Sequence, residues 1–570
     1  MDSPGGGRNA PFVILVLLFA LLLPGGAVAA APSGAAVASA HPLATAAAAE
    51  ILERGGNAFD AAVALTAALA VVEPYGSGLG GGGFWLLHRA RDGYEVMLDG
   101  REKAPLAAHR DMFLDAQGEV IPRLDIEGAL STAIPGTPAA LEHLARGYGR
   151  LPLAVTLAPA IRFAEQGFPV TEHYRRLAGW RLKALQSSSE AARLFLHDGD
   201  LPPVGHLIRQ PDLARLLNGI AADGAAAFYR GENAERMTGA IREAGGIWTL
   251  DDLASYRVVE REPIRFAYRG MRVTTAAPPS SGGVALATTF NILAGYELRG
   301  LDPVARVHRI VEALRRAYRD RAEHLGDPDF VDLPIARLTD AHYAAGLRAS
   351  IHPQRATPSE LLPPVSATVE GESTTHFSVL DREGNRVAAT LSLNLPFGSG
   401  IVAPGTGVLI NNHMGDFVAR PGTPNVYGLV GADANAIAPG KRMLSSMTPT
   451  FLDDGERVAI LGTPGGSRII TMVLLSALAF ADGADARTMV SLPRYHHQYL
   501  PDRIQHEPDA LIDEAFELES MGHVIHTLER RYGDMQAVSW ERATGRVEAA
   551  SDPRGIGTAA VVGAGTAAPN

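Results

Sequence analysis

The sequence predicts a mixed α/β (α+β) fold, arranged as one large layered domain or as more than one domain. Residues 110–270 have mainly the pattern of helices with short connections, whereas the chain after Thr374 alternates as β-strands do. The chain has 570 residues, of which 46% are hydrophobic and 20% are charged. That length and composition allow a large buried core and are typical of a globular protein.

Two helices open the predicted order of elements. The first begins near Leu43 and ends at a pair of glycines, and the second follows at residues 61–72 with Asn57 or Asp60 as its cap. The second helix is apolar on nearly every face, so we expect it to be buried. The further predicted elements are strands at 84–88, 95–99, 376–380, 386–394, 407–410, 450–452 and 458–461, and helices at 138–148, 157–166, 212–222, 284–293, 307–324 and 469–480.

A glycine-rich stretch lies at residues 76–84. A phosphate-binding P-loop would continue with Lys and Ser or Thr, but Phe84 and Trp85 follow instead. A dinucleotide-binding loop would follow a strand and open a helix, and here the order is reversed. We therefore expect these glycines to allow close backbone packing against the strand at 84–88.

Several connecting segments carry polar residues. The charged triplet at 101–103 lies in a predicted loop, where such residues are usually solvated. His308, alone on a charged helix, is expected at the surface or at a cap rather than as a ligand. Residues 352–373 are rich in Pro, Ser, Thr and Glu and are expected to be exposed and mobile. The long stretch 421–439 lacks any period and has the length of a functional lid.

Composition excludes several classes of function. The net charge is −11, so no basic face for nucleic acid is expected. The absence of cysteine excludes disulfides, thiol catalysis and cysteine metal sites. No HExxH, carboxylate–histidine cluster or nucleotide motif is found, so neither a metal nor another cofactor is predicted. His496 and His497 are adjacent and would face opposite sides of a strand, which disfavours a shared metal.

The N-terminus resembles an export signal. Residues 12–23 are apolar, a length that suits a signal peptide better than a membrane span, and Ala27-Val28-Ala29-Ala30 offers a cleavage site near residue 29 or 30. We expect a signal peptide at 1–30 and a periplasmic or secreted protein. The region before the apolar segment is only weakly basic, because the charge of Asp2 offsets that of Arg8. The alternative is an uncleaved anchor, which would then be the protein's only contact with a membrane.

The stretch that decides the function begins at Thr374. A threonine hydroxyl is a poor nucleophile unless a base takes its proton, and one known solution is the free α-amino group of the same residue. That solution requires a cut between Ser373 and Thr374. The alternative, from these residues alone, is an ordinary pair of threonines at the start of a strand.

The sequence resembles the γ-glutamyltransferase (γ-glutamyltranspeptidase, or glutathione hydrolase) family of N-terminal-nucleophile hydrolases. The resemblance runs in order from about residue 35 to about residue 563. The matching motifs are GLGGGGF (78–84), REKAP (101–105), IPGT (134–137), PPSSGG (278–283), TTHFSV (374–379), INNHMGDF (410–417), NVYGLV (425–430), LSSMTPT (444–450), GGSRII (465–470) and DPRG (552–555).

The resemblance implies a four-layer αββα sandwich built from two subunits of one self-cleaved chain. The large subunit would span residues 31–373 and the small, catalytic subunit residues 374–570. Thr374 would attack a γ-glutamyl amide, form an acyl-enzyme and pass the acyl group to water, an amino acid or a peptide. Ser378 and Thr375 are near enough in sequence to assist, but the sequence does not assign them.

The resemblance also implies a set of site residues. Gly465 and Gly466 would supply the oxyanion donors. The remaining assignments are Arg101, Ser445 and Ser446 for the substrate carboxylate, Asp416 and Asn394 for its ammonium, and Tyr427 as a lid over the pocket.

Three positions depart from the family pattern. Ser392 stands where Thr is usual and keeps a hydroxyl to support the nucleophile. His413 stands where Gln or Glu helps to hold the ammonium, and Gly415 replaces an Asp. We expect a γ-glutamyl hydrolase and transferase acting on glutathione and related compounds. The alternatives are a cephalosporin-type acylase with altered acyl specificity and an uncleaved, inactive binding or scaffold protein.

Overall fold

The computed structural model describes residues 30–362, 374–421, 423 and 430–563. The strands are β1 (Ala35–Ser39), β2 (Gly82–Arg89), β3 (Tyr94–Gly100), β4 (Phe168–Pro169), β5 (Leu207–Ile208), β6 (Val259–Arg261), β7 (Ile264–Tyr268), β8 (Met271–Thr275), β9 (Thr375–Leu380), β10 (Arg386–Ser392), β11 (Val402–Ala403), β12 (Val408–Leu409), β13 (Thr450–Asp453), β14 (Arg457–Gly462), β15 (Tyr495–His496), β16 (Ile504–His506), β17 (Ile525–Thr527), β18 (Gln536–Glu541), β19 (Val547–Ser551) and β20 (Thr558–Val562).

The helices surround these strands. They are α1 (Pro42–Glu53), α2 (Ala58–Val72), α3 (Thr137–Gly147), α4 (Leu153–Gln166), α5 (Glu172–Trp180), α6 (Leu182–Ser187), α7 (Ser189–Phe195), α8 (Pro211–Asp223), α9 (Ala226–Tyr229), α10 (Gly231–Glu243), α11 (Leu250–Ser255), α12 (Gly282–Leu293), α13 (Pro303–His324), α14 (Ile335–Leu338), α15 (Ala341–Ala349), α16 (Ile469–Ala481), α17 (Ala486–Ser491) and α18 (Ala515–Ser520).

Two large antiparallel sheets face each other in the centre of the molecule. One has the strand order β20-β1-β9-β10-β2-β3-β6, and the other β19-β18-β14-β13-β8-β7. Phe84, Met97, Phe451 and Ile460 are among the buried side chains between the sheets. Helices α1 and α2 pack on the outer face of the first sheet, and α12, α13 and α16 on that of the second. The predicted αββα sandwich is therefore confirmed.

Helix α2 is fixed at its start by a capping box. The Asn57 side chain accepts from the backbone N–H of Asp60, and the Asp60 carboxylate accepts from that of Asn57, each at 2.9 Å. Every residue of the helix is buried, as its all-round apolar pattern predicts. The helix ends at Val72, and the next residue is a buried glutamate, Glu73.

The glycine-rich stretch packs against other backbone segments, as predicted. A Cβ at Gly80 would lie 2.1 Å from the Leu409 carbonyl oxygen, and one at Gly83 would lie 2.2 Å from that of Thr390. Both distances are too short for any side chain. The glycines thus let β2 join β10 closely, and the strand begins at Gly82, earlier than predicted.

The hairpin β9–β10 places the nucleophile region. Thr374 directly precedes β9, and Ser392 ends the antiparallel partner β10. The prediction carried β10 on to Asn394. The strand stops sooner because Asn394 has φ +79°, which is incompatible with a continuing strand.

Two expectations about the exposure of charged and polar side chains are wrong. Arg101 and Glu102 do lie outside any strand or helix, but both are fully enclosed rather than solvated. His308 is likewise buried on the inner face of α13. In each case partners from distant parts of the chain cover the side chain, which local sequence does not reveal.

Some predictions concern residues outside the described part of the chain. These are the segment at 1–29, the residues 363–373 with Ser373, and the lid residue Tyr427. Within the described ranges, no helix has the length and apolar character needed to cross a membrane.

Candidate active site

Thr374 and Ser392 meet at the end of the β9–β10 hairpin. The Thr374 hydroxyl donates to Ser392 Oγ at 3.4 Å, and that oxygen also accepts the backbone N–H of Asn394 at 2.8 Å. Thr374 keeps 9% of its surface exposed, so its hydroxyl remains reachable from a cavity. The hydroxyl predicted to support the nucleophile is therefore in contact with it.

A small cavity gathers most of the predicted site. Thr374 forms part of its wall. The other predicted residues that line it are Ser392, Asn394, His413, Asp416, Ser445, Ser446 and Gly466. These residues come from β10, from two loops and from the turn before α16, so only the tertiary fold brings them together.

Arg101 reaches this cavity through Asp416. Its guanidinium donates to the Asp416 carboxylate, to Glu102 Oε2 at 3.3 Å and to the Met443 carbonyl at 3.3 Å. Because three acceptors bind different N–H groups of the planar guanidinium, its orientation is fixed. The two residues predicted to bind opposite ends of an amino-acid head group are thus paired with each other.

His413 is held by Glu102. Its Nδ1 lies 2.9 Å from Glu102 Oε1, and its backbone N–H donates to Asn411 Oδ1 at 3.0 Å. Burial alone would raise the pKa of Glu102, but His413 and Arg101 together hold that pKa below its ordinary value. The imidazole therefore lines the small cavity with a carboxylate behind it.

Gly415 has no room for a side chain. A Cβ there would lie 2.5 Å from Ile126 Cγ2 and 3.0 Å from the Asp125 carbonyl oxygen. The loop at residues 125–126 thus fills the space of the missing family aspartate. Asn412 holds that loop by donating to the Ile126 carbonyl at 2.7 Å.

Gly465 and Gly466 have backbone conformations that favour glycine, with φ +137° and +55°. Gly466 opens the short turn Gly466–Arg468, which leads directly into α16. Backbone N–H groups at such a helix start are without intrahelical partners and suit a developing negative charge. The pair adjoins Thr374, since Gly465 and Gly466 each line a cavity that Thr374 also lines.

Arg321 is a site residue that sequence reasoning missed. It lies on α13, is buried, and donates to Ser281 Oγ at 2.9 Å and to Ser446 Oγ at 3.3 Å. Burial lowers its pKa to about 10, so it remains a cation at neutral pH. Its helix was predicted, but several arginines share that helix and no local signal singles out this one.

A second, larger cavity of about 620 Å³ is also lined by Thr374. Its wall includes Gly465, Tyr75 and two buried carboxylic acids, Glu73 and Asp534. Burial raises the pKa of Glu73 to about 8 and raises that of Asp534 well above its ordinary value. Neither acid was predicted as a site residue. The nucleophile thus stands where a polar, charge-lined cavity meets a larger one.

A cluster of three buried polar side chains lies outside the two cavities that Thr374 lines. His308, Glu312 and His523 have potential ligand atoms within 4.8 Å of one another. The Glu312 oxygens, however, already accept from Arg315, Arg316 and the backbone and hydroxyl of Thr357.

His496 and His497 turn to different partners, as their adjacency predicts. His496 contacts Thr471 and Gln498 at 2.8 Å, and His497 contacts Asp502 at 3.1 Å. Ser378 lies on β9, and its hydroxyl donates to the Gln536 carbonyl of β18 at 3.1 Å and contacts His376 Nε2 at 3.2 Å. That it assists Thr374 stays a prediction.

Comparisons with known proteins agree with this geometry. The sequence profile of the family described as Gamma-glutamyltranspeptidase matches residues 44–562. A glutathione hydrolase proenzyme of Pseudomonas sp. strain A14 is 42% identical over 501 residues, which cover 86% of this chain and 87% of the relative.

A glutathione hydrolase proenzyme of Escherichia coli K12 is 41% identical over 526 residues, with coverage of 91% and 90%. Among solved structures, a cephalosporin acylase from Bacillus halodurans matches with a TM-score of 0.82 and 29% identity. That match covers 96% of this chain and 99% of the acylase.

Proposed function

Because this chain belongs to the γ-glutamyltranspeptidase family, we propose that it cuts itself before Thr374 and then transfers γ-glutamyl groups from glutathione and related amides to water, amino acids or peptides. The observation that carries the proposal is the position of Thr374. Its hydroxyl bonds Ser392 Oγ and stands between a small cavity lined by polar and charged side chains and a larger cavity.

Self-cleavage would come first. The Thr374 hydroxyl attacks the Ser373 carbonyl, the acyl group moves to oxygen, and water hydrolyses the ester. The products are a large subunit ending at residue 373 and a small subunit that begins at Thr374. Cleavage creates an α-amino group with an ordinary pKa of about 7.7–8.0, which suits a base at neutral pH.

Acyl transfer would follow at the same hydroxyl. Thr374 attacks the γ-amide carbonyl, and the backbone N–H groups of Gly465 and Gly466 receive the oxyanion. The amine leaves, and water or another amine then attacks the acyl-enzyme. Ser392 supports the hydroxyl through the contact described above.

The small cavity would bind the head group of the substrate. Its α-carboxylate suits Arg101, Ser445 and Ser446, and its ammonium suits Asp416 and Asn394. Since Arg101 and Asp416 are paired with each other, the head group would insert between them and exchange one ion pair for two. Tyr427, by resemblance, would cover the bound substrate.

Compartment and maturation follow from the N-terminal segment. We propose that residues 1–30 direct export to the periplasm or the medium and are removed. Ser33, shortly after this cleavage point, donates its backbone N–H to the Gly545 carbonyl at 2.8 Å, so the start of the mature chain is held against the rest of the protein.

The test compares the wild-type protein with Thr374→Ala on a denaturing gel and with a chromogenic γ-glutamyl anilide. Two bands and release of the aniline are expected for the wild type, and one full-length band for the variant. A single band from both proteins would overturn self-processing. That outcome would favour the inactive binding or scaffold protein.

A second candidate is an acylase of altered specificity. The likeness to the Bacillus halodurans cephalosporin acylase and the substitutions His413 and Gly415 favour it. Two bands with no γ-glutamyl activity, but with release of glutaryl or aminoadipyl groups from amides, would support this candidate instead.

A further inference from the structure

The large cavity beside Thr374 contains a carboxyl group that the proposed mechanism does not use. Glu73 follows helix α2 and is 4% exposed, and its Oε2 has no hydrogen-bond partner among the residues the structure describes. A buried carboxyl oxygen without a partner is costly unless the group is protonated or awaits a ligand.

The surroundings of Glu73 keep it in place without neutralising it. A Cβ at Gly76 would lie 2.9 Å from Glu73 Cδ, so the carboxyl packs directly on the glycine backbone. The Thr375 hydroxyl is the one neighbour that lowers the pKa of Glu73. Within the described ranges, no arginine or lysine contributes to lowering the pKa of Glu73.

Asp534 is a second buried acid on the same cavity. Its carboxyl also lines the cavity, accepts from Gln536 Nε2 at 2.8 Å and packs on Gly555, where a Cβ would lie 2.4 Å from its Cγ. Burial is the main reason that its pKa is raised, and the charges of Asp552 and Glu73 add to it. Two acids that share one low-dielectric wall disfavour joint ionisation.

We infer that Glu73 is the general acid that protonates the leaving amine, and that it is the base that later takes a proton from the incoming water or amine. The inference rests on the proposed function. If the γ-glutamyl head group fills the small cavity, the rest of the amide must extend from Thr374 into the large cavity, where Glu73 lies.

The proton balance closes over one turnover. In acylation the Thr374 hydroxyl proton moves to the α-amino group, the C–N bond breaks, and the departing nitrogen takes the Glu73 proton. In deacylation the attacking water or amine returns a proton to the Glu73 carboxylate. The Thr374 oxygen recovers its proton from the α-ammonium as the ester bond breaks. No further reactant is needed.

A carboxyl whose pKa is about 8 suits both halves of this cycle. It is protonated at neutral pH before acylation, and as a carboxylate it is basic enough to accept a proton from an amine nucleophile. An ordinary glutamate would already be ionised and would have no proton to donate.

Leaving-group basicity separates this role from a structural one. The amine of cysteinylglycine, released from glutathione, must be protonated to depart, whereas p-nitroaniline is a far better leaving group and needs little assistance. The Glu73→Gln variant is therefore compared with the wild type on glutathione and on γ-glutamyl-p-nitroanilide. Rates are expressed per cleaved chain, as measured on a gel.

For Glu73→Gln we expect kcat/KM for glutathione to fall about 100-fold, with at most an about twofold change for the anilide. Transfer to an amino-acid acceptor should fall relative to hydrolysis of the anilide. Glu165→Gln, an exposed glutamate on helix α4 that lines neither cavity beside Thr374, is the matched control and should change the rate with neither substrate. Equal losses on both substrates, or no loss on glutathione, would overturn the inference.

Glu73→Asp covers the case in which the Gln variant does not fold or cleave. It keeps the acid at a greater distance, so it should lose activity on glutathione while retaining the anilide reaction. A parallel loss on both would again contradict the role. A wild-type protein inactive on both γ-glutamyl compounds would instead overturn the proposed function, so the two failures are distinguishable.

Discussion

His413 Nδ1 lies 2.9 Å from Glu102 Oε1, and both side chains are enclosed. Glu102 also accepts from Arg101, whose guanidinium bonds Asp416. A chain of contacts therefore runs from the His413 imidazole through Glu102 and Arg101 to the Asp416 carboxylate, and its two ends line the small cavity. Because each group contacts the next, a change at one residue should alter the interactions of the others.

The first prediction concerns substrate binding by His413. His413→Gln introduces a residue type that the family uses at this position and keeps a polar group beside Glu102. If His413 contacts the substrate ammonium, KM for a γ-glutamyl anilide should change by about threefold or more, while kcat stays near that of the wild type. Steady-state kinetics at one fixed pH measure both constants. An unchanged KM would refute a contact with the ammonium.

The second prediction concerns acid stability and Glu102. Its folded-state pKa is lowered, so its ionisation stabilises the fold above the unfolded pKa of 4.5, and this contribution is lost as the pH falls through the folded pKa. As the pH falls from 4.5 through the folded pKa, the melting temperature should therefore decrease more steeply for the wild type than for Glu102→Gln. At neutral pH the variant should be the less stable protein, by about 1–3 kcal/mol. Parallel pH curves would contradict the linkage.

The third prediction tests the hydroxyl at Ser392. Ser392→Ala removes the acceptor of the Thr374 hydroxyl and of the Asn394 backbone N–H. We expect slower self-cleavage and a kcat that is about 10–100-fold lower. Ser392→Thr keeps the hydroxyl and restores the family residue, so both rates should stay near those of the wild type. A Thr variant as slow as the Ala variant would indicate a steric role instead.

The fourth prediction concerns Gly465, which we propose as an oxyanion donor. Gly465→Ala strains a backbone with φ +137°, and its Cβ would lie 2.6 Å from Met472 Cε. Displacement of the oxyanion donors should lower kcat about 100–1,000-fold. Gly455→Ala is the control, because Gly455 also has a positive φ, +92°, with nothing within 4 Å. If both variants lose activity equally, backbone strain and not the oxyanion site is responsible.

Local patterns predicted the secondary structure well. The helix ending at Val72, the hairpin after the glycine-rich stretch and the β9–β10 pair follow from periodicity, caps and turns within a few residues. The strand end at Ser392 was missed because the local pattern does not show that Asn394 has a left-handed backbone.

The resemblance supplied a set of candidate site residues but not the contacts between them. The pairing of Arg101 with Asp416 joins positions 315 residues apart. The contacts of Glu102 with His413 and Arg101, and the hydrogen bond from Arg321 to Ser446, were also not predicted. These contacts form between separate loops and helices, and no short-range pattern encodes them.

By itself, the sequence determined most helices and strands and the close packing of the glycine-rich stretch, because backbone propensity and hydrophobic periodicity are local properties of the chain. Through the resemblance of its collinear motifs, it also indicated the four-layer sandwich and the candidate nucleophile, Thr374. The tertiary structure decided which charges are buried, which of them are paired, and that Glu73 faces the nucleophile's cavity. Desolvation depends on everything that packs around a group, so the raised pKa of Glu73 exists only once the sandwich has closed.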